Sequence, residues 1–146
     1  MKIILAAFAL LAAAFFCLPD ARAQPAADGA LFRALGEKPG IDRLVQDFAT
    51  RLLADARMKP FFAQANAKRL TAQLADQFCA VSGGPCVYKG ADMKTAHANL
   101  DITKGDFNAL VEVLQQSMDA QGIAFADQNR LLARLAPMHR DVITVP

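Results

Sequence analysis

The chain has 146 residues, with Lys+Arg 16 against Asp+Glu 14, a formal net charge of +2 and 54% hydrophobic residues. That is the length of one domain once a leader is set aside, with enough Leu, Phe, Val and Ala for a real core. Basic residues that are few in excess and scattered rather than striped exclude the electrostatic footprint of a nucleic-acid binder.

At the N-terminus Lys2 precedes an unbroken apolar run from Ile3 to Leu18, followed by Pro19-Asp20 and Ala21-Arg22-Ala23. A charged start, an apolar stretch and an Ala-x-Ala site predict a secretory signal peptide over residues 1–23. The run is shorter than the ~20 residues of a membrane span, and Ala14-Phe15-Phe16 before Cys17 lacks the small residues of lipoprotein processing. The expectation is one mature domain over 24–146, periplasmic or secreted and not held at a membrane.

Past a polar stretch from Gln24 to Asp28, Ala30 to Leu35 reads as a short amphipathic helix stopped by Gly36. Pro39-Gly40 opens a second, with Ile41, Leu44, Val45, Phe48, Leu52 and Leu53 at three- and four-residue steps, the helical period. It ends near Asp55, and Met58 to Phe62 forms a short turn or helix. A third helix runs from about Asn66 to Ser82 on Leu70, Leu74, Phe78 and Val81, and Gly83-Gly84-Pro85 breaks it. Residues 85–91 are a loop containing Tyr88 and Gly90, and a short helix follows from near Asp92. Thr103-Lys104-Gly105-Asp106 resembles a capping box with Asp in place of Glu and starts a helix that runs to Gly122. The last helix covers about Phe125 to Ala136 and meets Pro137. No strand and no repeat is evident, so the fold class is all-α with about five main helices.

The chemistry-bearing residues are few. Of two histidines, His97 lies between alanines with Met93 four residues before it and Leu100 three after, so the three share one helical face. An imidazole on such a face can coordinate a flat metal-bearing cofactor from one side; the competing reading is a core histidine satisfied by a carbonyl. His139 follows Pro137-Met138 and reads as a surface residue. Loss of a leader removes Cys17 and leaves Cys79 and Cys86. These stand as a disulfide, as two free thiols or as metal ligands; six intervening residues with no neighbouring His or third Cys speak against zinc, and whether a bridge closes is a matter of geometry.

In order and spacing these parts resemble the group 1 truncated haemoglobins, from Leu31 to about Val142. Asp47-Phe48-Ala49-Thr50-Arg51-Leu52-Leu53-Ala54-Asp55 with Pro60-Phe61-Phe62 is similar to the family's B helix and CD corner. Arg69-Leu70 to Phe78, Gly83-Gly84-Pro85 and Tyr88-x-Gly90 resemble its E helix and the break after it, Met93-Lys94-x-x-His97 its F segment, and Leu135-Ala136-Pro137 the end of its H helix. The resemblance implies a two-over-two helical sandwich around one haem b per chain, with His97 as the proximal iron ligand. It places Phe62 on the haem face, Leu70, Gln73 and Leu74 on the distal side, and Phe78, Tyr88, Met93 and Leu100 around the cofactor. Arg69, Lys68 and Lys94 would meet the propionates. From the residues alone, Phe48, Phe62, Phe78, Phe107 and Leu110 are enough for a large apolar slot, and no Cys-x-x-Cys-His occurs for covalent attachment.

Many members of that family carry a B-helix tyrosine and an E-helix glutamine that donate to the gas ligand. The matching positions here are Ala49 and Leu74. The distal side is therefore expected to be apolar, with Gln73 the one amide able to turn inward. The implied function is reversible binding of oxygen, carbon monoxide or nitric oxide, for oxygen transport or gas scavenging, by a monomer or weak homodimer. The competing reading is a haem enzyme, a nitric oxide dioxygenase served by an unidentified reductase or a weak peroxidase. A peroxidase would need a distal acid–base group that Leu70, Gln73 and Leu74 do not supply. A haem protein with two side-chain ligands for electron transfer, or a scaffold that has lost its cofactor, are the remaining alternatives.

Overall fold

The computed structural model describes residues 29–145; the expected leader lies outside them. Among the described residues there are seven α-helices and no strand: α1 Ala30–Ala34, α2 Glu37–Ala54, α3 Ala67–Val81, α4 Met93–His97, α5 Lys104–Ala120, α6 Phe125–Leu135 and α7 His139–Val142. Short 3-10 turns cover Lys59–Phe62 and Ala136–Met138. None of these helices is long and apolar enough to cross a membrane.

Three of the helices, α3, α4 and α5, begin where a side chain satisfies an N–H group of the first turn. The Asn66 side chain accepts from the Arg69 amide at 2.9 Å and starts α3. Asp92 accepts from the Thr95 amide at 2.9 Å and starts α4, and these hydrogen bonds hold its carboxyl below the usual carboxylate range. Thr103 and Asp106 form the reciprocal capping box of α5. Breaks fall at glycines: Gly36, at φ 80°, turns the chain out of α1. Gly40 then lies so close that a Cβ there would sit 2.0 Å from the Leu35 carbonyl oxygen.

The amphipathic faces meet as two layers of two. α2 packs along α3 and against α5, while α6 packs on α1 and α3, which is the two-over-two sandwich of a truncated globin. The core between them holds Leu31, Ile41, Leu44, Val45, Phe48, Leu52, Phe78, Val113, Leu114, Met118 and Leu131. Phe48 of α2 stacks on Phe78 of α3 with ring centroids 6.1 Å apart, a contact that adds about 0.5–1.5 kcal/mol to the burial of the two rings.

One feature differs from the expected elements, and one that the sequence left open is decided. The chain does not end its helical course at Pro137. Proline lacks an N–H and blocks the carbonyl one turn back, so α6 stops at Leu135, tightens into the 3-10 turn and resumes as α7. The continuation packs against α4, buries Val142 and pairs its tail with the Ile102 backbone, Thr144 N–H donating to the Ile102 carbonyl at 3.0 Å. Cys79 and Cys86, whose state the sequence left open, form a disulfide with Cα atoms 5.7 Å apart.

The turn after α2 is held by ions. Arg57 bonds Asp55 at 2.9 Å and reaches Glu112 of α5 at 2.7 Å, which fixes the approach to Phe61 and Phe62. The Arg57 guanidinium lowers the Asp55 carboxyl to about 2 from an ordinary 3.8. A depressed carboxylate contributes stability above its unfolded pKa and loses it as pH falls through the folded one. The Asp55 resonance should therefore titrate near pH 2 by NMR, with its share of stability lost between about pH 4 and pH 2. In Arg57→Ala the midpoint should return toward the ordinary value.

Candidate functional site

A cavity of about 500 Å³ opens between α2, α3, α4, α5 and the segment from α6 to α7, within the usual size of a cofactor site. Its wall is mostly apolar. α2 supplies Phe48 and Leu52; the turn after it, Met58, Phe61 and Phe62; and α5, Phe107, Leu110, Val111 and Leu114. Nine residues that the resemblance placed around the cofactor lie on the wall together: Phe62, Leu70, Gln73, Leu74, Phe78, Tyr88, Met93, His97 and Leu100.

His97 closes α4, half-buried, and its Nδ1 lies 2.7 Å from the Met93 carbonyl oxygen. A carbonyl can only accept, so Nδ1 carries the proton and Nε2 keeps its lone pair. The two readings of this histidine merge here: it is satisfied by a carbonyl through one nitrogen, and it can ligate a metal through the other. The fit of the short α4 depends on the residues just beyond it, where Asn99 and Asp101 take φ of 64° and 51°, a backbone region that Asn and Asp visit more readily than other side chains.

Tyr88 reaches the wall from the loop after the disulfide. Its hydroxyl donates to the Ala91 carbonyl at 2.8 Å, and burial pushes the phenol up from its ordinary pKa. The ring lies directly over Gly90, where a Cβ would meet its hydroxyl oxygen at 2.2 Å. Gly90→Ala is expected to turn Tyr88 off the wall and break that hydrogen bond, a loss of about 1 kcal/mol. Equilibrium unfolding and cofactor titration of the variant beside wild type check this; unchanged values would mean that the ring moves aside freely.

The cations and the distal position sit elsewhere. Arg69, Lys68 and Lys94 are exposed and off the wall, although Leu70 and Met93 beside them are on it. Ala49, the position matched with a distal tyrosine, is 2% exposed but does not line the cavity. It belongs to a separate groove between α2 and α3, with Thr50, Leu53, Ala72 and Ala75. Phe48 and Leu52, four apart on one stripe of α2, are the residues that this helix lends to the cavity wall. His139 is exposed, with its ring edge-on to Phe107 at 6.2 Å.

Several wall residues are not legible in the sequence: Gln77, Ile102, Asp106, Met138 and Val142. Gln77 follows Gln73 by about one helical turn, a usable signal, but its polar character argues against burial. Met138 and Val142 come from the segment beyond Pro137, which no helical pattern announces.

A two-layer helical sandwich that leaves an apolar slot with a carbonyl-bonded histidine on its wall is the architecture of a globin. Residues 30–144 match the bacterial-like globin family. The chain is 29% identical to the group 1 truncated haemoglobin of Mycolicibacterium paratuberculosis, over 85% of this chain and 91% of that one. It is 30% identical to the group 1 truncated haemoglobin of Tetrahymena thermophila, over 64% and 78%. The ferric crystal structure of truncated haemoglobin from Tetrahymena pyriformis superposes with a TM-score of 0.75 at 27% identity, covering 77% of this chain and 97% of that one. The 2/2 haemoglobin of Synechococcus sp. PCC 7002, at 22% identity, shares the fold with a TM-score of 0.73, over 79% and 98%. The chain belongs to the group 1 truncated haemoglobins.

Proposed function

We propose that the chain is an exported haem protein that binds a diatomic gas (oxygen, carbon monoxide or nitric oxide) at one non-covalent haem b, with His97 as its iron ligand. The observation that carries this is the orientation of His97: Nδ1 is engaged by the Met93 carbonyl, so the free nitrogen belongs to a ring on the wall of an apolar slot of about 500 Å³. The residues fit such a group. Phe62, Phe78, Leu100 and Leu110 offer apolar faces to a macrocycle, and Arg69, Lys68 and Lys94 on the solvent side are the cations for its carboxylates. When bound, the haem supplies the iron to which a gas attaches.

Retention of that gas depends on the opposite wall. Leu70 and Leu74 have no donor, the Tyr88 hydroxyl is engaged by Ala91, and the Asp106 carboxylate caps α5. Gln73 and Gln77 are the amides on the wall; the Gln77 amide is engaged by Met93 and Met138, which leaves Gln73 as the one to turn toward a ligand. The arrangement favours a binding role over peroxidase chemistry, which needs a group that moves protons. A hydrogen bond to a ligand with partial negative charge is worth about 1.5–3 kcal/mol. Leu74→Gln, which puts a donor on this wall, should therefore slow oxygen dissociation by about tenfold to a hundredfold with much less effect on carbon monoxide. Stopped-flow rates decide, and equal oxygen rates would show that position 74 does not face the ligand.

The direct test of the function is the absorption spectrum of the haem-reconstituted protein in ferric, ferrous and ferrous–carbon monoxide forms. A Soret band that moves on adding the gas is expected; protein that takes up no haem would overturn the reading. Export rests on the charged start, apolar run and Ala21-Arg22-Ala23 site, and the Cys79–Cys86 bridge supports it because disulfides persist in oxidising compartments.

A further inference from the structure

Gln77 is 8% exposed on the cavity wall, and its amide finds unusual partners. Nε2 donates to Met93 Sδ at 3.4 Å and to Met138 Sδ at 3.6 Å. A thioether is a weak acceptor, so this buried donor is satisfied only by soft sulfur. The two methionines come from different elements, α4 and the turn before α7. Both are half-buried on the cavity wall. Met118 is enclosed in the core at 0% exposure, and Met58, which also lines the cavity, is covered at 2%.

We propose that Met93 and Met138 form a methionine-oxidation site in which Gln77 is a donor already in place for the product. Hydrogen peroxide is the oxidant. The sulfur lone pair attacks one peroxide oxygen, the S–O bond forms as the O–O bond breaks, and the transferred oxygen's proton passes to the departing hydroxide, which leaves as water. The sulfur is oxidised by two electrons and the peroxide is reduced by two. A sulfoxide is polar and ordinarily disrupts an apolar wall. Here an oxygen added well off the N–S line, to the side of the existing contact, comes to hydrogen-bond distance from the Gln77 amide, and a weak acceptor becomes a strong one. Oxidation at Met93 then fastens α3 more firmly to the turn that holds His97.

The test exposes the full chain to graded hydrogen peroxide, loaded with haem and, to exclude iron-derived oxidants, with zinc protoporphyrin. Peptide mass spectrometry should find sulfoxide at Met93 and Met138 before Met58 and Met118 in both forms. The oxidised wild type should remain folded. Oxidised Gln77→Leu should show an unfolding equilibrium about fivefold worse than oxidised wild type, after correction for the unoxidised pair, the worth of one hydrogen bond. If Gln77→Leu does not fold, the Met93→Leu, Met138→Leu double variant carries the test: peroxide that shifts the wild-type unfolding midpoint should leave the variant's in place. Sulfoxide appearing equally early at Met58 and Met118, an effect of oxidation on stability that is the same with and without Gln77, or a double variant that shifts as wild type does would each overturn the proposal. None of these readouts depends on whether His97 ligates iron.

Discussion

His97→Ala should abolish stable haem uptake. The ring is the only imidazole on the cavity wall among the described residues, and its Nδ1 bond to the Met93 carbonyl holds it in one tautomer. Loss of an outer-shell partner alone costs a metal site about 10–100-fold in affinity, so removal of the ligand is expected to cost on the order of 100-fold or more. Haem titration followed at the Soret band measures this directly. Imidazole added to His97→Gly should recover part of the wild-type spectrum, because the small ligand can enter the space vacated by the ring. The stability that bound haem lends the fold through mass action should fall in parallel, while the haem-free chain loses little, since His97 is only half-buried. A variant with wild-type haem uptake and spectrum would remove His97 from the iron.

Breaking the Cys79–Cys86 bridge is expected to be the largest change in the stability of the chain itself. Closing a ring across a sequence separation of 7 restricts the unfolded chain by about 2.5 kcal/mol on the chain-entropy account. The surroundings are close-fitting. Cys79 is fully buried, Gly84 presses so near that a Cβ would meet the Phe32 ring at 2.5 Å and the Cys79 sulfur at 2.7 Å, and Phe32 N–H donates to the Ser82 carbonyl at 3.0 Å. The bridge thus pins the start of the loop that delivers Tyr88 to the cavity and leads into α4. The Cys79→Ala, Cys86→Ala double variant, or the reduced protein, should unfold at roughly 1–2 M less urea. It should also release haem faster, because Tyr88 is no longer held. Equal midpoints for oxidised and reduced protein, with mass spectrometry establishing both states, would show that the bridge does not restrain the fold.

The extent to which this structure is readable from the chain depends on what is local and what is not. Helix starts at Asn66, Asp92 and Thr103 are legible because a cap joins residues three apart. The cavity wall is largely legible because Leu70, Leu74 and Phe78 lie at helical spacing, and His97 with Met93 likewise, whereas Leu100 reaches the wall from beyond the end of α4. Ala49 shows the limit. A likeness in sequence matches it with a distal position, whereas α2 lends the cavity wall Phe48 and Leu52 and Ala49 lines a neighbouring groove.

The sequence by itself determined the all-α class, the helix starts at Asn66, Asp92 and Thr103 and the histidine beside Met93, since each depends on periodicity, capping and turn residues within a few positions. Only the tertiary structure decided the closure of Cys79 on Cys86, the return of α7 against α4, and the meeting of Gln77 with Met93 and Met138. Gln77 and Met138 are 61 positions apart in the chain, and no local pattern encodes a contact made by folding one layer of helices over another.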